Sequence, residues 1–234
     1  MYYKSIPKHP HIHWDDMFQT NINSCNERLV STDILKSHRI LTHSAYFLAG
    51  IRGALPTCYV RASLIEKLIQ VGKSLPPNIY LMILDGWRPV EVQTRLRESF
   101  YLKIQEKYKH LSISEQQEIL NQFVALPNEN PNRPSPHLTG GSVDVTLCDK
   151  DGNILDMGTA FDEIHALSFT DALEGMQEYQ MACKHRRILY WAMTSAGFTN
   201  LPSEWWHFDY GNQLWAYTTK QQSAHYGIAS LSSK

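Results

Sequence analysis

The apolar positions between Ala62 and Ser74 recur with the spacing of one helix face. They are Leu64, Ile65, Leu68, Ile69 and Val71. Pro76 and Pro77 follow and end the pattern, because proline cannot continue a helix. Val90 to Lys107 is predicted to be a helix that Pro89 opens near its first turn. Further helices are predicted from Gln116 to Ala125 and from Glu178 to Ala196, the last ended by Gly197.

Other segments have the pattern of strands. Ile79 to Leu84 is a short apolar run bounded by proline and an Asp-Gly pair, which predicts a buried strand. Apolar and polar residues alternate from Ser142 to Leu147, which predicts a half-buried strand. A further short strand is expected from His207 to Tyr210. Because helices and strands do not alternate regularly, we expect a single α+β domain with a central, mainly antiparallel sheet flanked by helices.

The N-terminal part of the chain is polar and irregular. We expect residues 1–55 to form an arm or lid packed on a main domain of residues 56–234. His9, His11 and His13 alternate within this segment. An exposed arm is the first interpretation, and adventitious metal binding is the alternative.

Composition excludes several classes of function. The 234 residues have a formal net charge of -1, so there is no electrostatic case for binding nucleic acid or an anionic membrane. No apolar run is long enough to span a bilayer, and the N-terminus lacks the pattern of a secretory signal. The four cysteines are scattered without a CxxC pair, which favours reduced thiols in a cytoplasmic protein. Nothing in the sequence indicates an oligomeric state.

One segment combines a histidine and an aspartate around paired glycines. Gly140 and Gly141 disfavour a helix, so we expect His137 on a loop and Asp144 on the polar face of the following strand. A turn at the glycines could fold His137 back over that face, so that imidazole and carboxylate converge on one metal ion. The alternative is a surface turn with a solvated aspartate.

A second segment places Glu204 three residues before His207, among bulky aromatic residues. In a flat strand these side chains point to opposite faces, so they share a site only if the chain bends, and Pro202 makes a bend plausible. We expect Trp205 and Trp206 to belong to the core and also to wall the site.

Together the two segments supply two imidazoles, one carboxylate ligand and a spare glutamate. Three protein ligands with an open position are typical of a catalytic zinc site. Glu204 then fits a general base that acts on a metal-bound water. A ligand set of two histidines and one aspartate could also hold other divalent ions.

A third segment places Arg88 at a predicted strand-to-helix junction. An exposed salt bridge is the ordinary interpretation of such a residue. The functional interpretation is a guanidinium directed at the oxyanion of a tetrahedral intermediate.

These segments resemble a known family. Ser135-x-His137-x-x-Gly140-x-Ser142-x-Asp144 resembles the SxHxxGxAxD signature of the zinc D-Ala-D-Ala peptidases, and Glu204-x-Trp206-His207 resembles their ExWH motif. Asp85-Gly86-Trp87-Arg88-Pro89 resembles the DGYRP element of the D-alanyl-D-alanine dipeptidases of the VanX type. Residues 58–61 and 157–162 also resemble that subgroup, and the blocks follow in order from about residue 57 to 211.

The resemblance implies a role for each matching residue. It implies that His137, Asp144 and His207 bind one zinc ion, that Glu204 is the catalytic base and that Arg88 stabilises the transition state. It suggests that Asp162 binds the free amino group of a dipeptide and that Ser135 holds the substrate or orients a ligand.

Two residues depart from the family pattern. Ser142 stands in place of the usual alanine, and its similar volume should preserve the metal geometry. Pro136 cannot donate a main-chain hydrogen bond to a substrate, as another residue there could.

The expected activity is zinc-dependent hydrolysis of the D-alanyl-D-alanine dipeptide to free D-alanine. A D,D-carboxypeptidase acting on longer cell-wall peptides is the first alternative. A metal-containing binding module without turnover is the second.

Overall fold

The computed structural model describes residues 4–10, 12–124 and 126–231. His11 and Ala125, which belong to the predictions above, lie outside the described residues. The strands are β1 Asn21–Ile22, β2 Leu29–Ser31, β3 Ile40–Thr42, β4 Tyr59–Arg61, β5 Tyr80–Asp85, β6 Ser142–Cys148, β7 Thr199–Asn200, β8 His207–Asp209 and β9 Ser223–Ala224. The α-helices are α1 Trp14–Met17, α2 Ala45–Leu48, α3 Ala62–Ser74, α4 Val90–Lys107, α5 Ile113–Phe123, α6 Gln180–Ser195 and α7 Gln213–Thr218.

A central sheet of five strands organises the fold, in the order β3-β5-β6-β8-β7. The pairs β5/β6, β6/β8 and β8/β7 are antiparallel, and β3 pairs with β5 in parallel. The sheet is therefore mixed, with its parallel pair at one edge. The expectation of an α+β domain with a mainly antiparallel sheet is confirmed.

The main core lies between one face of this sheet and helices α3 and α6. Val143, Val145 and Leu147 of β6 are fully buried on that face. Leu64, Leu68 and Val71 of α3 are also fully buried against it, as the helical spacing predicted. Their burial supplies most of the apolar contact that holds the sheet to α3.

The prediction that β6 is half-buried was wrong. All seven of its residues are buried, including Ser142, Asp144 and Thr146 on the polar face. That face is covered because the loops before β6 and before β8 fold over it and place polar groups against it. The alternation therefore separates an apolar core from a buried polar site, and neither face lies in water.

Several predicted boundaries need small corrections. Helix α5 begins at Ile113, because Ser112 and Glu115 form a reciprocal capping box at its start. Helix α6 begins at Gln180 and is followed by Gly197 at a φ of +93°. Strand β8 ends at Asp209, one residue earlier than expected.

The N-terminal part of the chain contributes to the central sheet as well as covering the domain. Strand β3 forms one edge of the sheet, with Ile40 opposite Leu81 of β5. Its neighbour Arg39 donates hydrogen bonds to the main-chain oxygens of Lys73, Leu75 and Pro76 at the end of α3. The boundary at residue 55 stays a prediction.

Within the ranges described, no helix is both long enough and apolar enough to cross a membrane. The four cysteines are free thiols, with Cys25 exposed and the other three buried.

Helix α3 packs closely at Gly72 on the segment that precedes β3, and a substitution at this position probes that packing. A Cβ atom at this position would lie 2.3 Å from the main-chain oxygen of His38. We therefore expect Gly72→Ala to lower the free energy of unfolding by about 1–3 kcal/mol, although alanine normally stabilises a helix interior by about 1 kcal/mol. Urea unfolding measures this, with exposed Lys73→Ala as the control. A stabilised Gly72→Ala protein would contradict the packing.

Candidate metal centre

The register of the central sheet places three polar side chains in one row. Asp144 of β6 lies opposite Asp85 of β5 on one side and opposite His207 of β8 on the other. Directly opposed residues on neighbouring antiparallel strands point to the same face. A register shift between Ile83 and Asp85 interrupts the β5/β6 pairing here and brings Asp85 into the row.

His137 reaches this row from a short 3₁₀-helix, Pro136–Thr139, which begins with proline. Gly140 ends the helix at a φ of +71°, and the chain then enters β6. The loop folds back as predicted, so that His137 lies over the polar face of the sheet. Its Nδ1 atom is 2.7 Å from the main-chain oxygen of Gly86, which fixes Nδ1 as the donor and leaves the Nε2 lone pair directed at Asp144 and His207.

The three predicted ligands converge closely enough to share one ion, because one ligand atom from each residue lies within 4.8 Å of the others. The two imidazoles approach different oxygens of the Asp144 carboxylate. Nε2 of His137 lies 3.1 Å from Nδ1 of His207 and 3.4 Å from Oδ2 of Asp144. Nδ1 of His207 lies 3.1 Å from Oδ1 of Asp144. Within the described part of the chain, these three residues are the cluster that could hold a metal ion.

Glu204 stands beside this cluster and outside it. Residues before β8 turn sharply, with the amide of Glu204 donating to Leu201 and the amide of His207 donating to Glu204. Asn200 holds the turn by donating to the main-chain oxygens of both Glu204 and His207. Because of this bend, Oε2 of Glu204 comes within 4.0 Å of Nδ1 of His207. The predicted bend is confirmed.

Arg88 is buried at the junction of β5 and α4, where an exposed salt bridge was the ordinary interpretation. Its Nε donates to Oδ2 of Asp85 at 2.8 Å, and its Nη1 donates to Oε1 of Gln93 at 2.7 Å. Its Nη2 lies 3.0 Å from Oδ2 of Asp144 and 3.2 Å from the Tyr46 hydroxyl. The guanidinium is therefore held rigidly, next to the ligand cluster.

Asp162 lines the same cavity as the ligand cluster and Glu204. Its backbone adopts a φ of +59°, a conformation that non-glycine residues rarely adopt outside tight turns. The Tyr46 hydroxyl, which accepts from Arg88, also forms a hydrogen bond with the Asp162 side chain. Tyr46 therefore joins Asp162, which was predicted to bind the amino group of the substrate, to Arg88, which was predicted to stabilise the transition state.

The structure gives Ser135 a local role. Its hydroxyl donates to the main-chain oxygen of Leu126 at 2.8 Å and accepts from the amide of Asn128 at 3.1 Å. Ser135 lies in the wall of the cavity, and its hydrogen bonds fasten the loop that leads to His137. Substrate binding by Ser135 stays a prediction.

Trp205 and Trp206 were both expected to belong to the core and to wall the site. Trp205 and Trp206 are buried in the main core and pack edge to face at 5.2 Å. Trp206 also lines the cavity. Trp205 instead donates from its indole nitrogen to the Thr159 hydroxyl at 2.8 Å, which links the turn of Glu204 to the loop of Asp162.

Burial raises the pKa of two acidic groups that line the cavity beside the ligands, Glu204 and Asp162. Removal from water raises the pKa of Glu204 to about 8, although His207 acts in the opposite direction. Removal from water, with Asp144 nearby, also raises the pKa of Asp162 to about 7. A divalent cation between these residues would favour their ionised forms.

The pKa values of two predicted ligands, Asp144 and His207, shift in opposite directions. Burial acts to raise the pKa of Asp144, but His137 and His207 hold it well below its usual range. Burial acts to lower the pKa of His207, but Asp209 and Asp144 hold it well above the ordinary value. In the absence of a metal ion, the proton on His207 therefore supplies the positive charge that the cluster needs.

Three residues of the site were given no role by sequence reasoning. Tyr46 comes from the N-terminal segment, and no motif marks it. Asp85 was quoted within the Asp-Gly-Trp-Arg-Pro block, where a carboxylate three residues before Arg88 was the available signal. Asp209 follows His207 by two residues on the same strand face, so β-strand periodicity could have found it.

Two imidazoles, a carboxylate between them and an adjacent free carboxylate define a centre that can hold a divalent ion on an α+β fold. The sequence profile of the family described as D-ala-D-ala dipeptidase matches residues 55–226. The chain belongs to this family of peptidases.

Individual relatives agree with this assignment. The D-alanyl-D-alanine dipeptidase of Synechocystis sp. is 30% identical over 221 residues, covering 86% of this chain and 89% of its own length. The D-alanyl-D-alanine dipeptidase of Escherichia coli K12 is 43% identical over 75 residues, covering 32% of this chain and 37% of its own length. Among solved structures, a zinc complex of the D,D-pentapeptidase VanY aligns at 14% identity with a TM-score of 0.42, covering 71% of this chain and 82% of its own.

The raised pKa of Glu204 predicts how stability depends on pH when a chelator is present. The folded protein keeps a proton on Glu204 up to about pH 8, while its ordinary pKa of 4.5 makes the unfolded chain release it earlier. The contribution of Glu204 to stability is therefore complete below about pH 4.5 and is lost as the pH rises to 8, by at most about 5 kcal/mol. Urea unfolding across this range should give a flatter curve for Glu204→Gln. Parallel curves for the two proteins would contradict the burial of this carboxyl group.

Proposed function

We propose that this protein is a zinc-dependent dipeptidase that hydrolyses D-alanyl-D-alanine to two molecules of D-alanine. The observation that carries the proposal is the convergence of two imidazoles and one carboxylate, with one ligand atom from each within 4.8 Å of the others and Glu204 beside them. His137, Asp144 and His207 would hold the ion. Two imidazoles and one carboxylate without cysteine are the donor set of a catalytic zinc site.

When bound there, zinc supplies positive charge that acidifies a water molecule and draws electron density from the substrate carbonyl. Glu204 would take a proton from the attacking water as the C–O bond forms and the carbonyl π electrons move onto oxygen. Glu204 would then deliver this proton to the amine nitrogen as the tetrahedral intermediate collapses and the C–N bond breaks. The hydroxyl oxygen of water ends on the new carboxyl group, and both products are free D-alanine. The walls formed by Trp206 and neighbouring residues keep bulk water from this proton.

Arg88 supplies fixed positive charge where negative charge develops on the carbonyl oxygen. Its Nη2 is 3.0 Å from Asp144, so the guanidinium is adjacent to the ligand cluster. Asp85, Gln93 and Tyr46 hold it in place before substrate arrives, which is the condition for effective stabilisation of a transition state.

Asp162, which lines the cavity, would select a substrate with a free amino group. A carboxylate attracts the ammonium of a dipeptide, whereas a longer peptide has an uncharged amide at that position. The Tyr46 hydroxyl forms a hydrogen bond with this carboxylate and accepts one from Arg88, so Tyr46 would link amine binding to Arg88.

The first experiment measures release of D-alanine from D-Ala-D-Ala by the zinc-loaded protein, with and without a chelator. L-Ala-L-Ala and a cell-wall pentapeptide are the comparison substrates. Chelator-sensitive cleavage of the D,D-dipeptide alone is the expected result. Cleavage of the pentapeptide instead would assign the protein to the carboxypeptidases, and no cleavage of any of the three would overturn the proposal.

Glu204→Gln should separate metal binding from chemistry. The amide cannot accept a proton, so we expect kcat on D-Ala-D-Ala to fall by roughly 10²–10⁴-fold. Zinc affinity, measured by competition with a chromophoric chelator, should change little because Glu204 lies outside the ligand cluster. A large loss of zinc together with activity would instead make Glu204 a ligand.

Asp162→Asn should reveal how the amino group is recognised. We expect KM for D-Ala-D-Ala to rise about 10-fold or more with a smaller change in kcat, because a charge-assisted contact is lost. The matched substrate is N-acetyl-D-Ala-D-Ala, which lacks the ammonium group. The preference of wild type for the free dipeptide should shrink in Asp162→Asn, and an unchanged preference would show that another group reads the amine.

A further inference from the structure

The imidazole of His207 lies between two carboxylates. Its Nδ1 faces Asp144, as described above, and its Nε2 is 3.0 Å from Oδ2 of Asp209. Asp209 is fully buried and lies two residues further along β8, on the same strand face. Because this carboxylate accepts the Nε2 proton, the neutral imidazole, which is the form that can bind a metal ion, would have its Nδ1 lone pair directed at the ligand cluster.

The second oxygen of Asp209 is held from two directions. The Ser142 hydroxyl donates to Oδ1 at 2.6 Å, and the side-chain amide of Asn212 donates to the same atom at 2.6 Å. The same amide nitrogen is 3.0 Å from the Ser142 oxygen, so the three groups close a small buried ring of hydrogen bonds. Both oxygens of Asp209 are therefore engaged, and neither can turn without breaking a bond.

The central sheet builds this arrangement as a second row next to the ligand row. In the pairing of β6 with β8, Ser142 lies opposite Asp209, and Asp144 lies opposite His207. Asn212 joins from the next turn of chain, where its Oδ1 also caps α7 by accepting from the amide of Trp215 at 3.0 Å. A chain of hydrogen bonds thus links the imidazole of His207 through Asp209 and Asn212 to the first turn of α7.

Ser142 is the position at which this chain departs from the alanine of the motif that it resembles. An alanine there would fill similar volume but leave Oδ1 of Asp209 with the amide of Asn212 alone. In the part of the chain that the structure describes, the hydrogen bonds of the serine hydroxyl lead to the His207 imidazole through Asp209.

We propose that Ser142 and Asn212 are positioning residues that act through Asp209 to fix the His207 imidazole, so that zinc retention depends on the hydroxyl at position 142. The inference rests on the metal site of the proposed function. Partners of this kind around a metal-bound histidine typically change affinity by about 10–100-fold when they are removed.

The test measures zinc affinity by chelator competition for wild type, Ser142→Ala, Asp209→Asn and the double variant. We expect Asp209→Asn to weaken zinc binding by about 10–100-fold and Ser142→Ala by about 3–10-fold. In the Asp209→Asn background, Ser142→Ala should cost less than about twofold, because the carboxylate through which it acts is gone. Equal factors in both backgrounds would overturn the proposal.

Thr146→Val is the matched control. Thr146 lies on the same face of β6 and is also buried, and its hydroxyl has no hydrogen-bond partner among the described residues. Removing it should leave zinc affinity unchanged within about twofold. The visible spectrum of the cobalt-loaded protein gives a second readout, which should change in Ser142→Ala and stay as in wild type in Thr146→Val.

If Ser142→Ala fails to fold, Asn212→Ser tests the same positioning role of the contacts to Asp209. Serine retains the capping oxygen for α7 and loses the amide donor to Asp209, so zinc affinity should again fall about 3–10-fold. Wild-type affinity and an unchanged cobalt spectrum in the folded variants would contradict the positioning role. A wild-type protein that binds no zinc would overturn the metal site as well, and the two failures are therefore distinguishable.

Discussion

The rest of the site depends on how its buried negative charge is balanced. Asp85, Asp144, Glu204 and Asp209 are each 8% exposed or less. Among the described residues that line the cavity, Arg88 is the permanent cation. Burying carboxylates is costly unless positive charge compensates them. Protonation of His207 adds a positive charge, and protonation of Glu204 removes a negative one. A divalent ion at the centre of the cluster would balance the remaining carboxylates more directly. The same charge imbalance favours a divalent cation among these residues.

Two parts of the structure position these charged groups, namely the central sheet and the loops that cover it. The register of the central sheet positions Asp85, Asp144 and His207 in one row. Ser142 and Asp209, which are paired in the same register, form the next row. Loops bring the remaining groups, and buried arginines fasten those loops through main-chain oxygens. Arg61 donates from its Nε to Thr139 at 2.7 Å, beside His137. Arg186 donates to Met157 and Phe169 at 2.7 and 2.8 Å, on either side of Asp162.

Sequence patterns predicted the parts of the molecule in which local spacing carries the information. The apolar face of α3, the alternation of β6 and the helical span of α4 each follow from a periodicity that the core enforces. The motifs also placed His137, Asp144, Glu204 and His207 in one site. The sequence could not show that the polar face of β6 is buried, because the covering loops come from elsewhere in the chain. It also could not show that the N-terminal segment supplies β3 and Tyr46, since parallel pairing and long-range side-chain contacts leave no local pattern.

The most direct test of the metal centre is zinc K-edge X-ray absorption on the zinc-loaded wild-type protein. The convergence of the three ligand residues predicts one zinc per chain, with about four nitrogen or oxygen neighbours near 2.0–2.1 Å, of which two are imidazoles. Sulfur neighbours near 2.3 Å, or a single imidazole, would contradict the assignment of His137, Asp144 and His207 as the ligands.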